Sequence, residues 1–444
     1  MDRPRLEDEL PTYGAATSRC GLLLVARRVR SQDLFNASLV NKRWHGAFTR
    51  EIWTRADQLW EMGDLPALTR FLLFLRTLSK SPRVYGTRNL SLLSVHPSIY
   101  TRLPPNWLQT LLKKLPSLDS LSLRALPFFD HVSLNAVSCT HTLTTLLATE
   151  CTNATPQSLY HLLSRLSGLS RLDLSGTPSA SHPRVLSAIS ALTLLNTLAL
   201  RELSLSDGVF SPIVRQLGTS LHSLDVGGNA LTEATVCTLL DYSFAPPSYP
   251  YSEYAPRGIT HLRISDNALN ATAVQQLLKT SRLRTLDVGA APHTGVASAW
   301  VSYAQDLRAI RVHWLVAADE AFRPRGLHAD TVVLVHVPLF APAAVARSLV
   351  DMLDKFADSA VQVIEMEVVD LGSAAGFSFF SGGEEEGGSR WEDGEVDVLA
   401  EIAKRRRGTG GWRGVLRVVR DLGGRESRER GLGGERWGVI RERV

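Results

Sequence analysis

The stretch Leu221-His222-Ser223-Leu224-Asp225-Val226-Gly227-Gly228-Asn229 decides how the rest of this chain is read, because near-copies of it recur. The same spacing returns as Ile259-x-x-Leu262-x-Ile264-x-x-Asn267, Leu169-x-x-Leu172-x-Leu174 and Leu283-x-x-Leu286-x-Val288. Weaker copies start at Leu118, Leu143, Leu195 and Leu307. Each alternation reads as a short strand whose two apolar residues point inward while the residue between them points out. The rest of each unit supplies a turn and a helical or irregular return, as in Ala234 to Leu240 and Ala271 to Leu278. A single unit cannot bury its apolar side, so stability comes from stacked neighbours.

With starts at 118, 143, 169, 195, 221, 259, 283 and 307, the period falls in the twenties. A period of that length carrying L-x-x-L-x-L resembles the leucine-rich repeat solenoid. The resemblance implies an α/β fold with parallel strands along a concave face. It also gives the ninth residue of each unit a role: buried, and hydrogen-bonded to neighbouring backbone. That position holds Cys151, Thr177, Asn229 and Asn267 in four copies, but Leu126, Leu203 and Ala291 in others. The expected array covers residues 83–371, with weaker units at Asn89-Leu90-Ser91-Leu92, Val332-Val333-Leu334 and Val361-Gln362-Val363-Ile364.

At 444 residues with 44% hydrophobic content, the chain can bury a substantial core. A formal charge of +5 is slight for this length and gives nucleic-acid binding little support. Four cysteines, Cys20, Cys139, Cys151 and Cys237, are too few and too scattered for a disulfide framework, which suits a reducing compartment. The charged start Met1-Asp2-Arg3-Pro4-Arg5 does not fit a signal peptide, and no apolar run is long enough to span a bilayer. The expected location is cytoplasm, nucleus or both.

Residues 1–16 read as a flexible start, and 17–55 as a small all-α module. Leu22, Leu23, Val25, Ala26 and Val29 recur at helical spacing; Asp33 is placed to cap a second helix, striped by Leu34, Phe35, Leu39 and Val40. Trp44 and Phe48 continue in a third helical stretch. Asp33-Leu34, Leu39-Val40-Asn41-Lys42-Arg43-Trp44 and Ile52-Trp53 resemble the second half of an F-box. The family's leading Leu-Pro has no counterpart near Thr17-Ser18, and Asn41 stands where Cys is usual. A helical cap over the end of the solenoid is the other account of this segment. The F-box resemblance implies docking on a Skp-type adaptor and through it a cullin. It nominates Leu22, Leu34, Leu39, Val40 and Trp53 as the adaptor surface, with Trp44 packing inside. A helical linker over 56–82 follows, started by Asp64-Leu65-Pro66 and carrying Leu68, Phe71, Leu72, Leu75 and Leu78 on one face.

The outward positions of the strands form the expected target-binding row. They are Arg124, Asp173, Arg201, Asp225, Arg263, Asp287, Arg311 and His313, with Trp314 beside them. A merely solvated sheet face is the alternative for any one of them. The insertion 242–256, rich in Pro and Tyr, is either a partner-contacting loop or an ordinary long insertion. From 372 to 444 the glycine content rises beside many Arg and Glu, and this tail is expected to be largely disordered. Within it, Val396 to Lys404 could form a short helix and Val415 to Val419 a strand, while Lys404-Arg405-Arg406-Arg407 could serve nuclear import.

No P-loop, nucleophile elbow or H-E-x-x-H motif occurs, and Gly408-Thr409-Gly410-Gly411 misses the dinucleotide spacing, so no cofactor is expected. Cys139, His141, Cys151 and His161 have the wrong spacing for a zinc ribbon. The expected function is a non-catalytic substrate receptor of an SCF-type ubiquitin ligase. The alternative is a leucine-rich scaffold or regulator outside any ligase, with a RanGAP-like GTPase activator as its enzymatic extreme and Arg201 or Arg263 as the exposed arginine.

Overall fold

The computed structural model describes residues 87–92, 106–125, 142–244, 258–280, 283–289, 307–319, 329–338, 340–369, 395–398, 415–420 and 438–440, with isolated positions elsewhere, mainly between 22 and 76. It divides at Leu195 and Asn196 into two units.

In the first unit, strands β1 (Asn89–Ser91), β2 (Ser120–Arg124), β3 (Thr145–Thr149) and β4 (Arg171–Asp173) pair in parallel and in chain order. Helices α1 (Trp107–Lys114), α2 (Pro156–Arg165) and α3 (Pro183–Ser190) return the chain. Proline opens α2 and α3, where its missing N–H costs nothing, and the side chains of Thr155 and His182 accept the first free backbone N–H groups. Each helix buries one stripe, such as Leu159, Leu162 and Leu163 of α2.

The second unit repeats the plan with β5 (Thr197–Ala199), α4 (Asp207–Leu217), β6 (Ser223–Asp225), α5 (Glu233–Tyr242), β7 (His261–Arg263), α6 (Ala271–Thr280), β8 (Thr285–Asp287) and β9 (Ala309–His313). It continues through α7 (Trp314–Ala318), β10 (Thr331–Pro338), β11 (Phe340–Pro342), α8 (Ala343–Lys355) and β12 (Val363–Val369). Strands β5 to β10 pair in parallel and in sequence order, and β12 follows β10. The repeat leucines are the core: Leu221, Leu224, Val226, Leu262, Ile264 and Leu286 are all buried. Truncating a residue such as Leu224 to Ala would cost about 2–5 kcal/mol, since stacked neighbours cannot collapse into the gap.

Two devices hold successive units in register. At the ninth position the Asn229 carboxamide oxygen accepts the N–H groups of Leu203 and Leu205, each at 3.0 Å, while its nitrogen donates to the carbonyls of Leu200 and Val226. Asn267 repeats this one unit on, accepting from Leu231 N–H and donating to the Val226 and Ile264 carbonyls. In the first unit the Thr177 hydroxyl donates to the Ala148 carbonyl and accepts from Cys151 N–H. The ninth-residue role implied by the repeat resemblance is therefore present in atomic detail. At the eighth position the chain turns left-handed: Ala125, Glu150, Gly176, Glu202, Gly228 and Asp266 all have φ between 48° and 67°. Glycine also avoids a close approach at two of them. A Cβ on Gly176 would stand 3.1 Å from Glu150 Cγ, and one on Gly228 would stand 3.0 Å from Glu202 Cγ.

The sheet continues beyond residue 371, where the change in composition sets the expected end of the array. The strand expected near Val415 is present over Val415–Arg420, parallel to β12, and Gly438–Ile440 pairs antiparallel with it. Glu395–Asp397, overlapping the start of the 396–404 segment expected to be helical, is a strand paired antiparallel with β11; among the described residues of that segment 398, 401 and 402 are helical. Backbone pairing to Phe340–Pro342 overrides the local helical pattern there. In the 242–256 insertion, α5 ends at Tyr242 and Phe244 bridges to Gly258; residues 245–257 lie outside the described residues.

Candidate partner-binding face

Parallel pairing brings the outward residues of the second unit into one row. Ala199, Asp225, Arg263, Asp287 and Arg311 are register partners on β5 to β9, about 4.8 Å apart per strand. From Asp225 to Arg311 the sign of charge alternates, so Asp225 meets Arg263 and Asp287 meets Arg311 across adjacent strands. The Asp225 carboxylate sits 3.7 Å from both Arg201 and Arg263. Burial drives its pKa above the ordinary carboxylate value, opposed by the two guanidinium groups and the Gly227 N–H.

The end of the row is tied more firmly. Arg311 donates from Nε and from Nη2 to the two oxygens of Glu367, at 3.0 and 2.6 Å, and from Nη1 to Asp287 at 3.2 Å. A planar fork satisfies both carboxylates at once, which an ammonium could not do. Burial works against the Arg311 charge, but the hydrogen bonds to Glu367 and the field of Asp287 outweigh it and raise its pKa.

Asp173, Asp225 and Asp287 have a second job that the spacing alone does not reveal. Each accepts the backbone N–H two residues on, from Ser175, Gly227 and Gly289, at 2.9, 3.3 and 3.0 Å. This is the Asx turn that ends a strand. Asp recurring at the fifth position, followed two residues later by Ser or Gly, is the sequence signal for it. In the first unit Arg124, with a side chain only 11% exposed, pairs with Glu150 at 3.3 Å. The nominated row is thus largely self-neutralising, and Arg263, with a side chain 64% exposed, reaches furthest into solvent.

One nominated residue leaves the surface. Trp314 is the first residue of α7 and is buried, because the chain turns inward after β9; its assignment to the target face is corrected. Its neighbour His313 is a helix cap, with Nδ1 accepting Leu315 N–H at 3.2 Å, and its ring meets that of His336 edge-on at 5.7 Å. Burial and then the positive field of His336 lower the His313 pKa to about 4.

The N-terminal module has its own small core. Leu22, Ala26 and Phe48 are buried together, with Val25, Val29, Ala37 and Trp44 packed against them. Trp44 stacks on Phe48 with ring centroids 5.0 Å apart, as expected for a residue inside the module. Asn41, standing where the F-box pattern has Cys, accepts Trp44 N–H at 2.9 Å and so starts the third helical stretch. Leu39 and Val40 point the other way and are 66% and 61% exposed. Leu22 is only 2% exposed, so its nomination as an adaptor contact is corrected: it belongs to the core. Leu34 and Trp53 lie outside the described residues. In the linker, Leu72 and Leu75 are helical.

Among the described residues no group of His, Cys, Asp and Glu is arranged to hold a metal ion, and no helix is long and apolar enough to cross a membrane. Cys151 is instead buried at the ninth position, its Sγ 3.4 Å from the Thr149 carbonyl, and His161 bonds Gln157 on the exposed side of α2.

No family model matches the chain, and no curated protein does so at a significant level. Among solved structures, Rad7 in its complex with Elc1 from yeast is similar at 13% identity and a TM-score of 0.40, over 72% of this chain and 87% of that one. Internalin C2 of Listeria monocytogenes aligns at 18% identity and 0.30, over 46% of this chain and 74% of its own. The leucine-rich repeat-containing protein LegL7 of Legionella pneumophila aligns at 12% identity and 0.30, over 74% and 94%.

Proposed function

We propose that this chain is the non-catalytic substrate receptor of an SCF-type ubiquitin ligase, with the N-terminal module holding a Skp-type adaptor, and through it a cullin, and the strand face holding a target protein. The observation that carries this reading is the exposure of Leu39 and Val40. Two adjacent large apolar side chains stand in water beside a module whose other described apolar residues pack together. Leaving them exposed forgoes roughly 1.5–3 kcal/mol for each, which a partner surface would recover. They occupy the L-V position of the F-box-like stretch, where that family makes its adaptor contact.

The mechanism is proximity. A receptor that holds a target beside a conjugating enzyme raises the effective concentration of target lysines without contributing a reacting group. Such a role belongs in the cytoplasm or nucleus.

Co-purification with a Skp-type adaptor tests the proposal. The intact chain should capture the adaptor, and Leu39→Asp with Val40→Asp should abolish capture without lowering the thermal midpoint, since neither side chain is in the core. Intact chain that captures no adaptor, or capture indifferent to the two aspartates, would sink the reading.

A further inference from the structure

Below the self-neutralised row, the edge where the strands of the second unit begin is charged differently. Arg284 and Arg308 sit just before β8 and β9 and are both exposed. They are neighbours across the ladder, since Arg308 N–H donates to the Arg284 carbonyl at 2.7 Å. Two guanidinium groups on adjacent strands repel each other, and among the described residues no carboxylate lies within 4.0 Å of either. The same edge of the first unit is built otherwise: Arg88 there pairs with Asp119 at 3.4 Å. On the neighbouring strands the edge carries His222 and His261, with rings 5.0 Å apart, and the exposed Arg263 lies just above. Burial holds the His261 pKa below its ordinary value, so the positive charge is that of the arginines on β7 to β9, where Arg263 shares its counter-ion Asp225 with Arg201.

From the charge left uncompensated at Arg284 and Arg308, with the exposed Arg263 beside them, we infer that this edge is the docking site for a short Asp/Glu-rich segment of a target protein. The inference rests on the receptor reading above and supplies its substrate class. Two interstrand steps of about 4.8 Å separate β7 from β9, a span that about three extended residues cover at about 3.3 Å each. The guanidinium fork matches a carboxylate in both charge and geometry. The surroundings limit the ligand's length. Asp225 and Asp287 lie in the row above, and exposed Asp330 follows Arg308 on the next strand. A long polyanion such as a nucleic acid would run into these carboxylates on both sides, whereas a short acidic run ends before them. Among the described residues no exposed Phe, Tyr or Trp lies on the strands of this face to stack a base.

The test uses the full-length chain and a fluorescent peptide with five consecutive glutamates in a Gly-Ser frame, read by anisotropy at low and physiological salt. The glutamate peptide should bind, more weakly as salt rises. Its glutamine counterpart should bind at least about tenfold more weakly, as expected when charge complementarity sets the affinity. Arg284→Glu with Arg308→Glu should lower affinity by at least about tenfold, and the two glutamine substitutions by an intermediate factor. Arg88→Glu, a control on the other unit, should leave binding unchanged. Thermal midpoints should be unaffected, because both arginines are exposed and make no core contact. Binding equal in wild type and the double glutamate variant, equal binding of the glutamine peptide, or a single-stranded oligonucleotide that binds more tightly than the peptide would each overturn the inference. Adaptor capture, measured on the same preparations, separates the two claims. Capture without peptide binding removes only this inference, and peptide binding without capture removes only the ligase role.

Discussion

The Asn229 carboxamide oxygen lies 3.0 Å from the N–H of Leu203, a residue of the preceding repeat that occupies the same ninth position but is apolar and buried. One asparagine thus serves two turns: its own, through the Val226 carbonyl, and its neighbour's, through Leu203, Leu205 and Leu200. Replacing it with Ala strips partners from backbone groups with little access to water. Asn229→Ala should lower unfolding free energy by about 2–3 kcal/mol, read as a reduced urea midpoint at unchanged slope.

Glu202 and Gly228 predict a coupled pair. Gly228→Ala places a Cβ at 3.0 Å from Glu202 Cγ and in a left-handed conformation, with φ +67°. It should cost about 1–2 kcal/mol. Shortening the neighbour in the double variant Glu202→Ala with Gly228→Ala should return the steric part and leave the conformational part. Simple additivity in a double-mutant cycle would contradict the contact.

Asp207 ties the start of α4 to the start of α5. It accepts Thr232 N–H at 2.9 Å and the hydroxyls of Thr232 and Thr235. Burial opposes its charge, but these hydrogen bonds outweigh burial and hold its pKa below the ordinary 3.8. A depressed carboxylate stabilises fully above its unfolded pKa and loses that contribution as pH falls through the folded one. Asp207→Asn should therefore lower stability at neutral pH and flatten the loss of stability below about pH 4, as followed by thermal melts across an acid series.

His313 acts in a different pH window. Its folded pKa of about 4 lies below the ordinary 6.5, so the neutral ring belongs to the native state. Its stabilising contribution is complete above pH 6.5 and declines towards pH 4 as the unfolded chain takes up the proton. His313→Asn keeps an acceptor for Leu315 N–H and removes the titration. The variant should show a smaller fall in thermal midpoint than the wild type between those two pH values.

Arg311 bridges Asp287 and Glu367, residues of two different strands. With a side chain 33% exposed, the pair energy is partly screened, and Arg311→Ala should cost about 1–3 kcal/mol. Arg311→Lys should recover less than half, because one ammonium cannot span both carboxylates. Full rescue by Lys, measured by chemical denaturation, would show that charge alone suffices.

Much of the repeat array is legible in the sequence, because its signal is local and repeated. L-x-x-L-x-L places the same three residues inward in every unit, and Leu221, Leu224 and Val226 are buried as that pattern requires. The ninth-position bonds were legible for the same reason. Single-copy features were less so. Trp314 follows an outward His313 and reads as surface, yet the chain turns into α7 there and buries it. Leu22 reads as one of several apolar residues at helical spacing, and only packing against Phe48 assigns it to the core rather than the surface.

The charges divide in the same way. Their alternation along the row from Asp225 to Arg311 follows from sequence and register together, but which charge is left unpaired does not. Arg311 and Glu367 are 56 residues apart in the chain and meet across β10, whereas Arg284 and Arg308 meet no carboxylate among the described residues. Sequence by itself determined the stacked α/β repeat, since burial of a periodic apolar face has one economical solution. Tertiary structure alone decided which outward residues neutralise one another and which face solvent, because ion pairing depends on distances across strands that no local spacing encodes.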